Sequence, residues 1–225
     1  MNDLTRMKKH YIKRTTDQWS LFHCYPQHMN CSQTVLLTKI LADTPLEKID
    51  LLDIGAGEGN FILKLIILGL IPQNITAVEY LKPRFKKLQK KLPHIHSINQ
   101  DFMCVELSKK YTLITLMAVL TSITDNTLRY NILEKALKSL DSGGTLILYD
   151  YFDEKEPFLT KDYRALSLSQ VKIITQDYAL EVHQNVYLKG RYAKGLCKIG
   201  LRNLIPFIQS LKIFNDSYHF VVIKK

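Results

Sequence analysis

Cysteine, glycine and proline are all sparse in this chain, and no apolar run is long. Its 225 residues include 4 Cys, 9 Gly and 7 Pro. Cys24, Cys31, Cys104 and Cys197 are scattered without a CxxC pair, so the spacing for a zinc site or a disulfide framework is missing. We expect reduced thiols in a cytoplasmic protein and no metal. The most apolar windows, 61–71 (interrupted by Lys64) and 113–120, fall short of the roughly 20 apolar residues that span a bilayer. Residues 1–14 alternate charge with single apolar residues and lack the apolar core of a signal peptide, which argues against export. With 46% hydrophobic and 23% charged residues the chain can bury a core, and collagenous or disordered classes are excluded.

Acidic residues are also the minority: 21 against 31 Lys and Arg, a net charge of +10. An anionic partner is compatible with that balance, as are many small-molecule substrates. The length suits one α/β domain with an embellishment. No repeat or low-complexity linker divides it. Residues 29–42 space Val35, Leu36, Ile40 and Leu41 as an amphipathic helix, with Asn30 as cap and Pro45 beyond its end. Strands are expected at 49–54, 74–79, 94–99, 111–116 and 145–149, and helices at 61–70, 82–92 and from Asp125 or Asn126 to about 140. Asp141-Ser142-Gly143-Gly144 reads as a stop before the fifth strand. This alternation predicts an α/β doubly wound, mostly parallel seven-stranded sheet. In the last third we expect a short helix capped by Ser169, a strand over 178–188, a helix over 196–211, and a final antiparallel strand over 218–223.

The sharpest feature is the turn Asp53-Ile54-Gly55-Ala56-Gly57-Glu58-Gly59 between a strand and a helix. Alternate glycines there let the chain turn tightly and let a ligand touch bare backbone near helix-end N–H groups. Glu79 closes the next strand, where a carboxylate can accept both hydroxyls of a ribose. A dinucleotide fingerprint wants glycine at position 60, which is Asn60, and Glu58 would repel a pyrophosphate. A nucleoside cofactor without phosphates fits better. S-adenosylmethionine, with a cationic amino group and sulfonium, suits Asp53 and Glu58.

The turn resembles the first motif of class I S-adenosylmethionine-dependent methyltransferases, Glu79 the acidic second motif and Gln100-Asp101-Phe102 the third, over roughly residues 49–150. The resemblance implies a Rossmann-like methyltransferase domain at 46–225, with 155–212 as an acceptor-side elaboration. It implies that Asp53, Gly55, Ala56 and Gly57 line the methionine and ribose, Glu79 and neighbouring Tyr80 the ribose side, and Asp101 and Phe102 the adenine. Met117 and Ala118 would lie beside the methyl donor. Residues 118–125 and 140–151 further resemble a bacterial methyltransferase subgroup associated with cell-surface glycan genes.

Methyl transfer is an in-line displacement in which orientation and desolvation supply much of the rate. The turn 116–119 has none of the prolines of the Pro-Pro-aromatic turn found in nucleobase-amine methyltransferases, and Cys104 lies a strand too early to act as a cytosine-carbon nucleophile. Candidate catalytic residues are Asp150 and His183, with Asp153, Thr121 and Ser122 also on the acceptor side. The expected function is methyl transfer to a small-molecule or glycan-type acceptor, at oxygen. Two rivals are an RNA methyltransferase, motivated by the net charge and by the basic face Lys82, Arg84, Lys86, Lys87, Lys90 and Lys91, and a non-catalytic cofactor-binding sensor or scaffold. Residues 1–45, the leader and first helix, read as a segment able to close over the cofactor as a lid or to pack on the sheet.

Overall fold

The structure is a computed structural model that describes Thr5, Arg6, Tyr11 and residues 24–184, 188–211, 213–215 and 217–225. Numbered along the chain, the strands are Leu51–Ile54 (β1), Ile75–Val78 (β2), His96–Ile98 (β3), Tyr111–Met117 (β4), Leu140–Tyr151 (β5), Phe158–Thr160 (β6), Tyr163–Arg164 (β7), Ala179–Gln184 (β8) and Tyr218–Lys224 (β9). The helices are Cys24–Ile40 (α1), Asn60–Ile67 (α2), Lys82–Lys91 (α3), Asn126–Lys138 (α4), Leu168–Ile174 (α5), Gly190–Lys198 (α6) and Ile205–Ser210 (α7).

Seven strands form one sheet in the order β3-β2-β1-β4-β5-β9-β8. β1 to β5 pair in parallel, and β9 runs antiparallel between β5 and β8. This is the doubly wound, mostly parallel sheet with an antiparallel last strand that the alternation predicts. β1 and β2 are buried on both faces, as central strands must be when helices cover both sides, and the two polar residues among them, Asp53 and Thr76, are buried as well. One face packs Leu51, Ile147 and Phe220 against Leu37 of α1, Ile62 and Leu65 of α2 and Leu88 of α3. The other packs Leu52, Ile114, Leu148 and Val221 against Leu133, Ala136 and Leu137 of α4 and Val171 of α5. Among the described residues no helix is long and apolar enough to cross a membrane.

The structure departs from the sequence reading in places where local signals compete with packing. Gly143 (φ +71°) does not stop the chain before β5; residues 140–144 are absorbed into the strand as an irregularity, with a register shift opposite Tyr111 and Leu113. The long helix expected over 196–211 is two short ones. Gly200 (φ +77°) ends α6, the Leu201 N–H donates back to the Leu196 carbonyl, and Pro206 opens α7. Ser167, not Ser169, caps α5. Cys31 and Cys104 are free thiols, but Cys197 is disulfide-bonded, a correction to the expectation of four reduced thiols. Spacing rules see pairs close in sequence and are blind to segments that folding brings together.

The β6–β7 hairpin is fastened to the body through Glu156, whose own φ is +46°. Its carboxylate pairs with the fully buried Arg129 of α4 at 2.6 Å and accepts from Asn126 Nδ2 at 2.9 Å, from the Tyr130 hydroxyl and from the Ser167 N–H. Arg164 of β7 adds a 3.6 Å contact to the same carboxylate. Removing the charge from one partner leaves a buried guanidinium uncompensated. Glu156→Gln should therefore lower unfolding stability by about 3 kcal/mol. Arg129→Met in the Glu156→Gln background should recover part of that loss, measured by urea denaturation; two independent losses that simply add would contradict a shared ion pair.

Candidate functional site

A cavity of about 220 Å³ opens at the carboxyl ends of β1, β2 and β4, where the strand order reverses direction. Open α/β sheets bind ligands at such a switch point because neighbouring connections leave to opposite faces and part the loops. The turn after β1 is held over the end of β2: the N–H groups of Gly55 and Ala56 both donate to the Val78 carbonyl, at 2.8 and 3.0 Å. Gly55 (φ +73°) and Gly57 (φ +61°) sit in the left-handed region. A Cβ at Gly55 would lie 2.6 Å from Val119 Cγ2, and one at Gly57 would lie 2.5 Å from the Arg84 guanidinium. Both positions thus combine a backbone that favours glycine with a close approach that excludes a side chain.

Glu79 is buried at the mouth of this turn. Its Oε2 accepts the Gly57 N–H at 2.7 Å and its Oε1 the Leu81 N–H at 2.6 Å. A carboxylate offers about four acceptor directions, so capacity remains for hydroxyls of a ligand. Tyr80, Asp101, Phe102 and Met117 share the cavity wall with Gly55 and Glu79. Asp101 Oδ1 accepts the Met103 N–H at 3.0 Å, fixing the short turn that carries Phe102. Ala118 follows β4 with φ +56°, an unusual angle for a residue with a Cβ, and Met117, Ala118 and Val119 all face the cavity.

Other expected site residues fall elsewhere. Asp53 lies beneath the cavity, 2% exposed, accepting the Thr115 hydroxyl at 2.6 Å; burial, opposed by that bond, pushes its pKa up to about 7. Ala56 is buried against the α1 and α2 side and, like Gly57, is not among the cavity-lining residues. Glu58 is paired with Lys87 at 2.9 Å.

Asp150 and His183 are not brought together. Asp150 is fully buried on the α4 face of β5, where it accepts the Leu120 N–H at 2.9 Å, the Thr121 N–H at 3.4 Å and the Thr121 hydroxyl. It thereby anchors the turn Leu120–Ser122 behind the cavity wall. Burial, offset in part by those bonds, raises its pKa to about 7. His183 lies on the edge strand β8, with β9 and β5 between it and β4, and faces Glu181 at 3.4 Å. The carboxyl end of a strand is a sound signal for a ligand face, but alternation sends every second side chain to the other face or into the core.

Arg84 and Lys135, which the sequence reading left outside the site, belong to its surroundings, as do Arg6 and Tyr11 of the leader that it read as able to close over the cofactor. Arg84, counted there with the solvated basic face, lines the cavity with its guanidinium 4.7 Å from the Tyr11 ring centroid. Its spacing from Leu81 and Leu88, three before and four after, is the signal that could have placed it inward. Tyr11 also lines the cavity, and Arg6 donates to the Ser122 carbonyl at 2.6 Å and the Asp162 carbonyl at 2.8 Å. Lys135 of α4 donates to the carbonyls of Phe102, Met103 and Val105 and lies 5.0 Å from the Phe102 ring centroid, clamping that turn from below. On the basic face, Lys87 and Lys91 are engaged by Glu58 and Asn60, and Phe85 packs toward the core.

No protein-family model and no curated protein sequence matches the chain. Solved structures match it over its whole length. The N-methyltransferase NodS from Bradyrhizobium japonicum WM9, in complex with S-adenosyl-L-homocysteine, superposes with a TM-score of 0.68 at 16% identity, covering 100% of this chain and 99% of the other. Magnesium protoporphyrin IX methyltransferase from Synechocystis PCC 6803 with bound SAH gives 0.68 at 13% identity over 100% of both chains. A SAM-dependent methyltransferase from Archaeoglobus fulgidus gives 0.60 at 12%, covering 85% and 94%. At such identities the likeness is one of fold, and the fold is the Rossmann-like α/β fold of these methyltransferases.

The two buried aspartates set a pH dependence. Their pKa rises from the ordinary carboxyl value of 3.8 to about 7, so between those values the folded chain holds protons that the unfolded chain has released. Their contribution to stability must fall as pH rises through that window. His219, whose pKa burial lowers from 6.5, contributes with the opposite sign. The difference between parent and variant cancels it. Asp53→Asn and Asp150→Asn should each gain stability relative to the parent as pH goes from about 5 to about 8 in urea titrations; a variant-minus-parent difference that stays constant or falls over that range would contradict protonated aspartates.

Proposed function

We propose that this chain is a class I S-adenosylmethionine-dependent methyltransferase acting in the bacterial cytoplasm on a small-molecule or glycan-type acceptor, at oxygen. The observation that carries the reading is the convergence of Gly55, Glu79, Asp101, Phe102 and Met117, from four separate loops, on one cavity at the switch point. Bare main chain at Gly55 lines the cavity, and Val119 and Arg84, which line it too, stand where a Cβ at Gly55 or Gly57 would go, so a side chain at either position would push them into the ligand's space. In this reading Glu79 takes the ribose hydroxyls and Asp101 and Phe102 the adenine edge and face, while Asp53, buried outside the cavity lining and bonded to Thr115, steadies the end of β1 from which the turn departs. Arg84 then serves a negative group, the methionine carboxylate being the available one.

When bound, the cofactor would supply an electrophilic methyl carbon to an acceptor hydroxyl, whose proton would pass to solvent water as S-adenosylhomocysteine leaves. The chain's part is to orient, desolvate and hold the reactants in line. Met117, Ala118 and Val119 present an apolar wall at the end of β4. β5 runs on past that point, and beside Met117 its neighbour Tyr149 leads to Tyr151, which meets Tyr218 edge-on at 5.3 Å between ring centroids. This aromatic ledge suits the apolar face of a sugar or another ring. Asp150 acts in this reading as a positioning residue through the Leu120–Ser122 turn, and His183 takes no part.

Calorimetry with S-adenosylmethionine, joined to a tritium-methyl transfer screen over bacterial extract fractions, tests the proposal. The parent should bind and label an acceptor that survives nuclease treatment. Gly57→Val should abolish binding. Glu79→Gln should weaken it by about 1.5–3 kcal/mol, roughly 10- to 150-fold. Unchanged affinity in both variants would sink the cofactor site. Binding with no transfer to any fraction would instead favour a sensor, and label confined to nuclease-sensitive material an RNA methyltransferase.

A further inference from the structure

Exposed large apolar side chains are unevenly distributed among the described residues, and seven of them fall between Ile199 and Phe214. Between β8 and β9 the chain forms α6, a short turn at Arg202–Leu204, and α7. This lobe has its own small core of Leu188, Ala193 and Ile205. Around it Ile199, Leu204, Phe207, Leu211, Ile213 and Phe214 are exposed, three of them to a degree unusual for their size: Ile199 67%, Phe207 66% and Ile213 71%. Exposed apolar side chains concentrated in this way mark a contact surface.

Charge identifies what it contacts. From Leu188 to Asn215 the sequence carries six Lys or Arg and no Asp or Glu. Lys198 and Arg202 are exposed and flank Ile199 and Leu201 in the sequence. Two such lobes placed face to face would oppose like charges, which disfavours a symmetric pair of chains. Apolar side chains interleaved with six cations, against the single acid Asp216 in the whole segment between β8 and β9, match a surface that is apolar beneath and negative at its rim, the interface of an anionic bilayer.

Topology adds a direction. The lobe leaves from the end of β8 and returns through the start of β9, and Tyr218 of β9 pairs with Tyr151 at the carboxyl end of β5. Leu188 bridges Asn215, and the Lys189 N–H donates to the Phe214 carbonyl, closing the lobe at its root. The lobe is therefore rooted at the same end of the sheet as the cavity.

We propose that this apolar, cationic lobe docks the protein on an anionic phospholipid surface, with Phe207 and Ile213 entering the headgroup–acyl boundary and Lys198 and Arg202 meeting lipid phosphates. This docking is independent of the methyl-transfer reading and stands or falls separately from it. The test is cosedimentation of the full chain with phosphatidylcholine vesicles, with and without about one-third phosphatidylglycerol. Partition onto the mixed vesicles should be at least about tenfold stronger than onto phosphatidylcholine alone, and should weaken when salt is raised to about 0.5 M. Phe207→Ser combined with Ile213→Ser should reduce it about tenfold more with an unchanged melting temperature, since both side chains are exposed. Absence of binding to the mixed vesicles, binding independent of anionic lipid, or full binding by the double variant would overturn the proposal. So would a lipid-free dimer, seen by sedimentation equilibrium, that the double variant abolishes, because it would assign the surface to a second copy.

Discussion

Glu79 accepts the Gly57 N–H at one carboxylate oxygen and the Leu81 N–H at the other, so one buried side chain sets the distance between the glycine turn and the first turn of α3. Hydrogen bonds to a charged acceptor contribute about 1.5–3 kcal/mol each, more than the cost of holding one backbone residue in a single conformation. The turn needs that hold. Its residues after Gly55 belong to neither strand nor helix, and without Glu79 the Gly57 N–H would have no described partner. Asn99 closes the arrangement by donating from Nδ2 to the carbonyls of Glu79 and Tyr80. A ligand that takes the remaining acceptor capacity of Glu79 therefore touches a group already bonded to both sides of the crevice.

The two faces of β5 divide the labour at its carboxyl end. Tyr149 and Tyr151 point to the face shared with α1 and α2, while Asp150 and Phe152 point toward α4. Across the sheet β9 repeats the division, with Tyr218 and Phe220 on the first face and His219 stacked on Phe152 at 5.6 Å on the second. A single strand thus supplies an aromatic wall on one side and, on the other, a carboxylate that secures the turn following β4. The two roles are adjacent in sequence and separated by the full thickness of the sheet.

That division explains much of what the sequence revealed and concealed. The glycine turn was legible because positive φ and close approach are backbone requirements that only certain residues meet, and Glu79 because it ends a strand that hydrophobicity marks clearly. Asp101 and Phe102 were legible only by their order after those two features. Arg84 was obscured by its lysine neighbours: composition reads a basic face, whereas spacing from Leu81 and Leu88 turns one member of it inward. The leader's placement rests on Arg6 and Tyr11, whose partners Ser122, Asp162 and Tyr163 are more than a hundred residues away. Likewise Gly143 and Gly200 are both left-handed, yet one continues a strand and the other ends a helix. Pairing to Tyr111 and the α6 packing decide between them, and neither is local.

The stretch from Ala118 to Ser122 shows how these long-range contacts bear on chemistry. Ala118 in the left-handed region carries a strain of order 1 kcal/mol. It persists because the chain is fixed on both sides: the Ala118 N–H donates to the Tyr149 carbonyl at 2.7 Å, Asp150 accepts from Leu120 and Thr121, and Arg6 holds the Ser122 carbonyl. Ordinary hydrogen bonds of about 0.5–1.5 kcal/mol each suffice, since several act together against one strained residue. Arg6 also bonds Asp162 in the loop joining β6 to β7, and Glu156 ties that hairpin to Arg129. The cavity wall beside Met117 is therefore connected through two ion pairs to the hairpin, and a displacement of the hairpin has a short covalent and hydrogen-bonded route to the one strained residue that faces the cavity.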